Sequence, residues 1–199
     1  HNHCPSSPIY REKVRQLNER IATRYGKHPA LVLWHVGNEL QGECFCEHCI
    51  SRFQDWLKIR YGTLDALNDA WWSGFWNHTL TDWSQVDPRD PSVDGMLLDW
   101  KRFVNVLHVE FLENDMAPLR QHSPPIPCTT NYMIADAPLL NYGEWSKTID
   151  VISNDAYPNY YGSDAAGDDA EMINRAARFA FIHDLTRGMN QGQPWMLLE

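Results

Sequence analysis

Short apolar runs alternate with amphipathic segments along this chain, and the alternation limits the folds that are open to it. Apolar residues at Val14, Leu17 and Ile21 recur every three or four positions and predict a helix over residues 7–25. Behind a proline, a nearly continuous apolar run over residues 30–36 predicts a strand buried on both faces, as in a parallel sheet. This alternation predicts an α/β fold, either a β/α-barrel or a doubly wound sheet.

The rest of the chain repeats the pattern. Further helices are predicted over residues 47–61, 63–67, 96–120 and 170–187, further strands over 126–130, 149–153 and 195–198, and a long irregular loop over 72–95. Four predicted strands are half of the eight that close a (β/α)8 barrel. Because an unclosed barrel exposes two sheet edges, we expect the remaining strands to lie outside this chain.

The charge balance argues against a nucleic-acid-binding protein. The 199 residues include 17 Lys and Arg against 26 Asp and Glu, a net charge of −9 with neutral histidines, whereas nucleic acid requires a basic face. No run approaches 18 consecutive apolar residues, and residues 1–5 lack the basic and apolar regions of a secretory signal. We therefore expect a protein that binds neither nucleic acid nor a membrane.

Two glutamates follow predicted strands. Glu39 comes after the strand over 30–36, and Glu199 comes directly after the strand over 195–198. A single glutamate at such a position is usually a solvated or helix-capping residue, but the catalytic residues of a β/α-barrel lie at the carboxyl ends of its strands. Two carboxylates about 5 to 5.5 Å apart can hydrolyse a glycoside by double displacement. The pair is therefore a candidate catalytic site.

Four of the five cysteines have the spacing of a metal site. Cys44, Cys46 and Cys49 cluster together, and Cys4 lies well upstream of them. Four thiolates make a closed tetrahedral Zn²⁺ site, which is structural rather than catalytic. Disulfides are the alternative, but an odd number of cysteines does not fit a complete disulfide framework. We expect structural zinc at these four residues and a place in the core for Cys128.

Aromatic residues are unusually frequent, with nine tryptophans in the chain. Sugar-binding enzymes use such side chains as stacking platforms. Trp71, Trp72, Phe75 and Trp76 form a cluster around the start of the predicted loop. Packing in the core is the alternative for these residues, but we expect at least one of them to face a sugar.

Several longer motifs accompany these features. They are Leu33–Glu39 with the sequence LWHVGNE, the Cys44-x-Cys46-x2-Cys49 cluster, Phe53-x2-Trp56-Leu57-x2-Arg60-Tyr61-Gly62, Leu64-x2-Leu67-Asn68-x2-Trp71, Phe75-Trp76, Asp155-x-Tyr157-Pro158 and Pro194-Trp195-x-Leu197-x-Glu199. In combination, and over essentially the whole chain, the sequence resembles the β-galactosidases of glycoside hydrolase family 42.

This resemblance implies a retaining β-galactosidase built on a TIM barrel. Residues 1–199 would form an incomplete catalytic domain holding about strands 4 to 7, the preceding helix and a zinc-binding cysteine turn, without the first and last strands and the C-terminal domains. The resemblance implies Glu39 as acid/base, Glu199 as nucleophile, and Asn38 as a partner of the sugar 2-hydroxyl. It also places the family's zinc site at Cys4, Cys44, Cys46 and Cys49.

Other expectations follow from the same resemblance. Trp72 or Trp76, Asn131 and Tyr157 fall where members of the family line the substrate pocket. The substrate would be a galactoside and the parent enzyme a homotrimer, and free thiolates suit a reducing, cytoplasmic location. The chain on its own would have little or no activity, because an open barrel exposes apolar edges. The competing interpretations are a carbohydrate-binding module and a zinc-stabilised scaffold.

Overall fold

The computed structural model of the chain describes residues 3–90, 92–134, 140–158, 169–189 and 192–199. The chain divides into two units: a first unit of His1–Lys13 and Gly42–Phe111, and a second unit of Val14–Gln41 and Leu112–Glu199. Among the described residues, no helix is both long enough and apolar enough to cross a lipid bilayer.

Helices and strands alternate as the sequence predicts. The helices are α1 (Pro8–Tyr25), α2 (Glu47–Tyr61), α3 (Leu64–Trp71), α4 (Asp94–His122), α5 (Tyr142–Trp145) and α6 (Asp169–Met189). The strands are β1 (Trp34–His35), β2 (Cys128–Tyr132), β3 (Val151–Asn154) and β4 (Met196–Leu197).

The four strands form one parallel sheet in the order β1-β2-β3-β4. Every residue of β2 is buried, as expected of a central strand in a parallel sheet. Cys128 at its start is fully buried, which confirms the prediction of a core position. Because the strands are parallel, their carboxyl ends lie along one edge of the sheet, where the residues that follow them can meet.

The bounds of some elements differ from the predictions. The apolar run over 30–36 contributes only Trp34–His35 to the sheet, and Val32 is 77% exposed. The backbone amide of Trp34 donates to the carbonyl of Pro127, just before β2, and that of Val36 donates to the carbonyl of Thr129 in β2. Pairing of this run with β2 therefore begins only at Trp34. The single-turn helix α5 was not predicted, since four residues are too few to show a helical period.

The segment predicted as a loop over 72–95 contains more structure than expected. It holds two short 3₁₀ helices, Phe75–Asn77 and Trp83–Gln85, and α4 begins within it at Asp94. The second 3₁₀ helix is fixed by a capping box, in which the Asp82 carboxylate accepts from the backbone of Ser84 at 2.8 Å. Such caps satisfy amides that a short helix leaves free.

Aromatic side chains build the core of the first unit. Phe53 is fully buried, and its ring lies 5.1 Å from Trp100 in an edge-to-face contact. The buried carboxylate of Asp99 accepts hydrogen bonds from the indole of Trp71 at 2.9 Å and from Arg102 at 2.8 Å. These bonds tie the end of α3 to α4, and they place Trp71 in the core rather than on the surface.

Candidate active site

Three carboxylates lie together at the carboxyl ends of the strands in the second unit. Glu39 follows β1, Asp155 follows β3 and Glu199 follows β4. Each offers a carboxylate oxygen, and the three oxygens lie within 4.8 Å of one another. The structure therefore brings together the two glutamates singled out in the sequence and adds a third acidic side chain to them.

The backbone of Glu39 has an unusual conformation. Its φ is 47°, in the left-handed region that side-chain-bearing residues rarely adopt, and Gly37, two residues earlier, has a φ of 66°. A Cβ atom on Gly37 would also lie 3.0 Å from the side chain of Leu40, a close contact that adds to the preference of this turn for glycine. Residues held in sparsely populated conformations cluster at functional sites. The turn thus places Glu39, with its strained backbone, in the carboxylate cluster.

Asn131 of β2 lies at the centre of this cluster. Its side-chain oxygen accepts a hydrogen bond from the backbone N–H of Glu39 at 2.8 Å and lies 3.1 Å from Nε2 of His35. Its amide nitrogen donates to Asp155 at 2.8 Å and to Asn38 at 3.2 Å. The residue is only 1% exposed, so its amide is committed mainly to protein partners.

Asp155 was not assigned to the site from the sequence. The carboxylate is 4% exposed, and burial raises its pKa to about 6, with the nearby charges of Glu199 and Glu39 acting in the same direction. The hydrogen bond from Asn131 acts the other way, because it favours the charged form. The only sequence signal was its place after a strand in the Asp155-x-Tyr157-Pro158 motif, and that signal says nothing of burial.

Tyr157 contacts Glu199 directly. Its hydroxyl donates a hydrogen bond to Oε2 of Glu199, and this bond raises the pKa of the tyrosine above its usual range. The side chains of Glu39, Glu199, Asn38, Asn131 and Tyr157, all predicted to belong to one site, thus form a connected group.

The two predicted tryptophan platforms lie in the first unit. Trp72 caps the C-terminus of α3 in a left-handed conformation with a φ of 53°. Its side chain is 71% exposed, and its ring stacks on Phe75 with centroids 4.8 Å apart. Trp76 belongs to the 3₁₀ helix Phe75–Asn77. The side chain of Trp72 is thus open to solvent, and a sugar-facing role for it stays a prediction.

Four thiols meet in the first unit. The sulfur atoms of Cys4, Cys44, Cys46 and Cys49 all lie within 4.8 Å of one another, and Cys4 lies 3.4 Å from both Cys46 and Cys49. All are free thiols, and these separations are far longer than the roughly 2.05 Å of a disulfide. A tetrahedral ion with metal–sulfur bonds of about 2.3 Å would hold its sulfurs about 3.8 Å apart. The cluster fits a bound metal ion.

The thiols of this cluster differ in the direction of their pKa shifts. Burial alone would raise the pKa of Cys46, but hydrogen bonds from the backbone of Cys49 and from Cys4 outweigh it and lower the pKa to about 7. Burial raises the pKa of Cys49. At least one thiolate is therefore available near neutral pH, as a metal ligand requires.

The parallel sheet and the carboxylates at its strand ends define part of a (β/α)8 barrel of the kind that glycoside hydrolases use. The sequence profile of glycoside hydrolase family 42, described as β-galactosidase, matches residues 1–199. The chain belongs to this family.

Individual relatives agree with this assignment. The chain is 46% identical to β-galactosidase BglY of Alicyclobacillus acidocaldarius and 43% identical to β-galactosidase GanA of Bacillus subtilis, with all of this chain and 28% and 30% of those proteins covered. Among solved structures, the β-galactosidase from Rahnella sp. R3 matches with a TM-score of 0.91 and 46% identity over all of this chain and 29% of that one. The chain thus spans about 30% of the length of its curated relatives.

Proposed function

We propose that the chain carries the catalytic carboxylates of a retaining β-galactosidase, with Glu39 as general acid/base and Glu199 as nucleophile. The observation that carries this proposal is the distance of at most 4.8 Å between carboxylate oxygens of the two residues. Retaining glycosidases place their carboxyl groups about 5 to 5.5 Å apart, whereas inverting enzymes leave about 6.5 to 9.5 Å to admit a water molecule. One pair of oxygen atoms within 4.8 Å is compatible with the retaining spacing and in this way supports double displacement.

The reaction then proceeds in two balanced steps. An oxygen of Glu199 attacks the anomeric carbon of a terminal β-galactosyl residue, the bond to the leaving oxygen breaks, and Glu39 donates its proton to that oxygen. In the second step Glu39 takes a proton from water, the water oxygen attacks the anomeric carbon, and Glu199 is released as a carboxylate. Two inversions leave the product in the β configuration.

The neighbouring side chains support this division of roles. The hydroxyl of Tyr157 donates to Glu199, an interaction that suits an ionised nucleophile. Asn38 lies beside Glu39 in the chain, and its side-chain oxygen is 3.2 Å from the amide of Asn131. Asn38 is exposed, so its side chain is accessible, and in this proposal it bonds the sugar 2-hydroxyl.

The role of Glu39 is tested with leaving groups of different quality, in the native polypeptide that contains this chain. Glu39→Gln lowers turnover of an alkyl β-galactoside by about 10² to 10⁴-fold, the usual contribution of a general acid. Turnover of a dinitrophenyl β-galactoside falls much less in its first step, because a good leaving group needs no proton. Glu144→Gln, at an exposed carboxylate paired with Lys147, is the control and keeps wild-type rates. Equal slowing of both substrates by Glu39→Gln contradicts the assignment.

The role of Glu199 and the stereochemistry are tested together. Glu199→Gln abolishes hydrolysis of both substrates, and proton NMR of the wild-type reaction shows the β anomer of galactose first. If the α anomer forms first, the enzyme is inverting and the double-displacement mechanism is wrong. If galactose binds with no hydrolysis of any galactoside, the carbohydrate-binding module becomes the better interpretation.

The cysteine cluster is best explained by a structural zinc ion. Cys4, Cys44, Cys46 and Cys49 would hold it, and four thiolates leave no open position for a substrate. A bound ion would fix the residues that precede α1 to the start of α2. Elemental analysis of the purified protein tests this, with one equivalent of zinc per chain expected. A different metal, or none, in protein prepared without chelators would contradict the proposal.

Family membership and free thiols also support a homotrimeric, cytoplasmic parent enzyme that acts on galactosides. Light scattering coupled to size-exclusion chromatography gives the oligomeric state, and a mass other than three chains contradicts the trimer. Cell fractionation tests the location.

A further inference from the structure

The amide of Asn131 connects three strand ends through one buried side chain. It accepts from the Glu39 backbone after β1 and donates to the Asp155 carboxylate after β3. The same nitrogen lies 3.5 Å from Oε1 of Glu199 after β4. At 1% exposure, the side chain is held by the sheet and has little surface left for a sugar.

The contact with Glu39 supports a strained backbone. With a φ of 47°, Glu39 occupies a region that costs free energy for any residue with a Cβ, and such conformations persist only where the surroundings hold them. The hydrogen bond of 2.8 Å from the Glu39 amide to Asn131 is such a restraint. It comes from a neighbouring, fully buried strand, so it ties the Glu39 turn to the sheet.

The contact with Asp155 satisfies an otherwise isolated carboxylate. Among the described residues, Asn131 is the only donor to the Asp155 side chain, and the other carboxylate oxygen has no hydrogen-bond partner. Removing this donor leaves a buried carboxylate facing Glu39 and Glu199 without support.

We propose that Asn131 is a positioning residue of the active site: its oxygen fixes the backbone of Glu39, and its nitrogen holds Asp155 beside the Glu39–Glu199 pair. The inference rests on the proposed glycosidase function and assigns Asn131 to the arrangement of the carboxylates instead of to sugar binding. It predicts that both halves of the amide are needed, the acceptor for Glu39 and the donor for Asp155.

The ionisable groups that face Asn131 come from every strand end of the cluster. They are His35 and Glu39 on the β1 side, Asp155 after β3, and Glu199 after β4. The Tyr157 hydroxyl is one step removed, bonded to Glu199. A substitution at Asn131 is therefore expected to change the pH dependence of the enzyme's activity.

Asn131→Asp distinguishes the role of the amide oxygen as an acceptor from that of the amide nitrogen as a donor. The introduced carboxyl keeps an acceptor for the Glu39 amide, but it donates to Asp155 only when it is protonated. We expect kcat/KM for a nitrophenyl β-galactoside, followed by a stopped assay, to fall about 100-fold at pH 8, the order of loss that a small misplacement of reacting groups produces. The loss shrinks to about tenfold or less at pH 5, with kcat carrying most of the change.

Two further variants complete the experiment in the native polypeptide. Asn131→Ala removes both halves and loses activity at every pH. Thr130→Val, at the fully buried preceding residue of β2, keeps the wild-type pH profile. Circular dichroism at each pH verifies folding, and if Asn131→Ala does not fold, Asn131→Asp decides.

The outcomes separate the two proposals. A ratio of Asn131→Asp to wild-type activity that stays constant across the pH range, or a profile like that of Thr130→Val, overturns the positioning role while the glycosidase function stands. A wild-type protein that hydrolyses no galactoside overturns both.

Discussion

Burial of the Asp155 carboxylate makes the free energy of unfolding depend on pH. Its pKa is about 6 in the folded protein, because of burial and the nearby Glu199 and Glu39, compared with an ordinary value of 3.8. Each pH unit between folded and unfolded values is worth about 1.36 kcal/mol. The ionised form therefore costs the folded state about 3 kcal/mol.

The pH window follows from which state binds the proton. Between about pH 4 and pH 6 the folded protein keeps a proton on Asp155 that the unfolded chain releases, so the stability contributed by this residue falls as the pH rises. The loss of stability is complete once the pH is well above the folded-state pKa of about 6. Asp155→Asn cannot ionise, so it should match wild-type stability near pH 4 and exceed it by up to about 3 kcal/mol at pH 8.

Urea unfolding of the native polypeptide, followed by tryptophan fluorescence at pH 4, 6 and 8, measures this difference. Asp184→Asn is the matched control, because that carboxylate is 71% exposed and its pairing with Arg187 lies at the surface. We expect the control to change stability by less than about 0.5 kcal/mol at each pH. An Asp155→Asn variant whose advantage does not grow between pH 4 and pH 8 would refute the reasoning.

Three further predictions concern the thiol cluster, the site and the core. Cys49→Ser should lower bound zinc from one equivalent towards none by elemental analysis, whereas Cys128→Ser should retain it; equal loss in both contradicts the assignment. Tyr157→Phe should lower kcat/KM for a nitrophenyl galactoside about 10 to 100-fold, since a hydrogen bond to a charged group is lost; steady-state kinetics with unchanged values would exclude the contact. Phe53→Ala should cost about 3 to 5 kcal/mol in urea unfolding, and Ile59→Ala, 87% exposed, less than about 0.5 kcal/mol; similar losses would refute the core position of Phe53.

Local pattern was enough to predict the main elements of the fold. The period of apolar residues gave α1 and α2 with nearly the observed bounds, because one buried helical face repeats every three to four residues. It could not give the length of β1, since a strand ends where its partner does and the partner lies far along the chain. Nor could it give α5, a single turn.

The two glutamates of the candidate site could be predicted from the sequence, but the third carboxylate and the energetics of the cluster could not. Glu39 and Glu199 stood out because both follow strands, and the parallel sheet brings them together. The raised pKa of Asp155 and the central place of Asn131 depend on burial and on neighbours from other strands. Such properties arise only after the chain has folded, so no local pattern reveals them.

The order of strands in the sheet has a consequence for synthesis on the ribosome. Trp34 of β1 pairs with Cys128 of β2, about 94 residues later, which corresponds to roughly 5 to 20 seconds at ordinary elongation rates. All residues of the first unit have been made before that interval ends, because its last segment ends at Phe111. The first unit can therefore fold before β2 is made, and the edge of β1 that pairs with β2 stays open to other contacts, chaperones included, until β2 emerges.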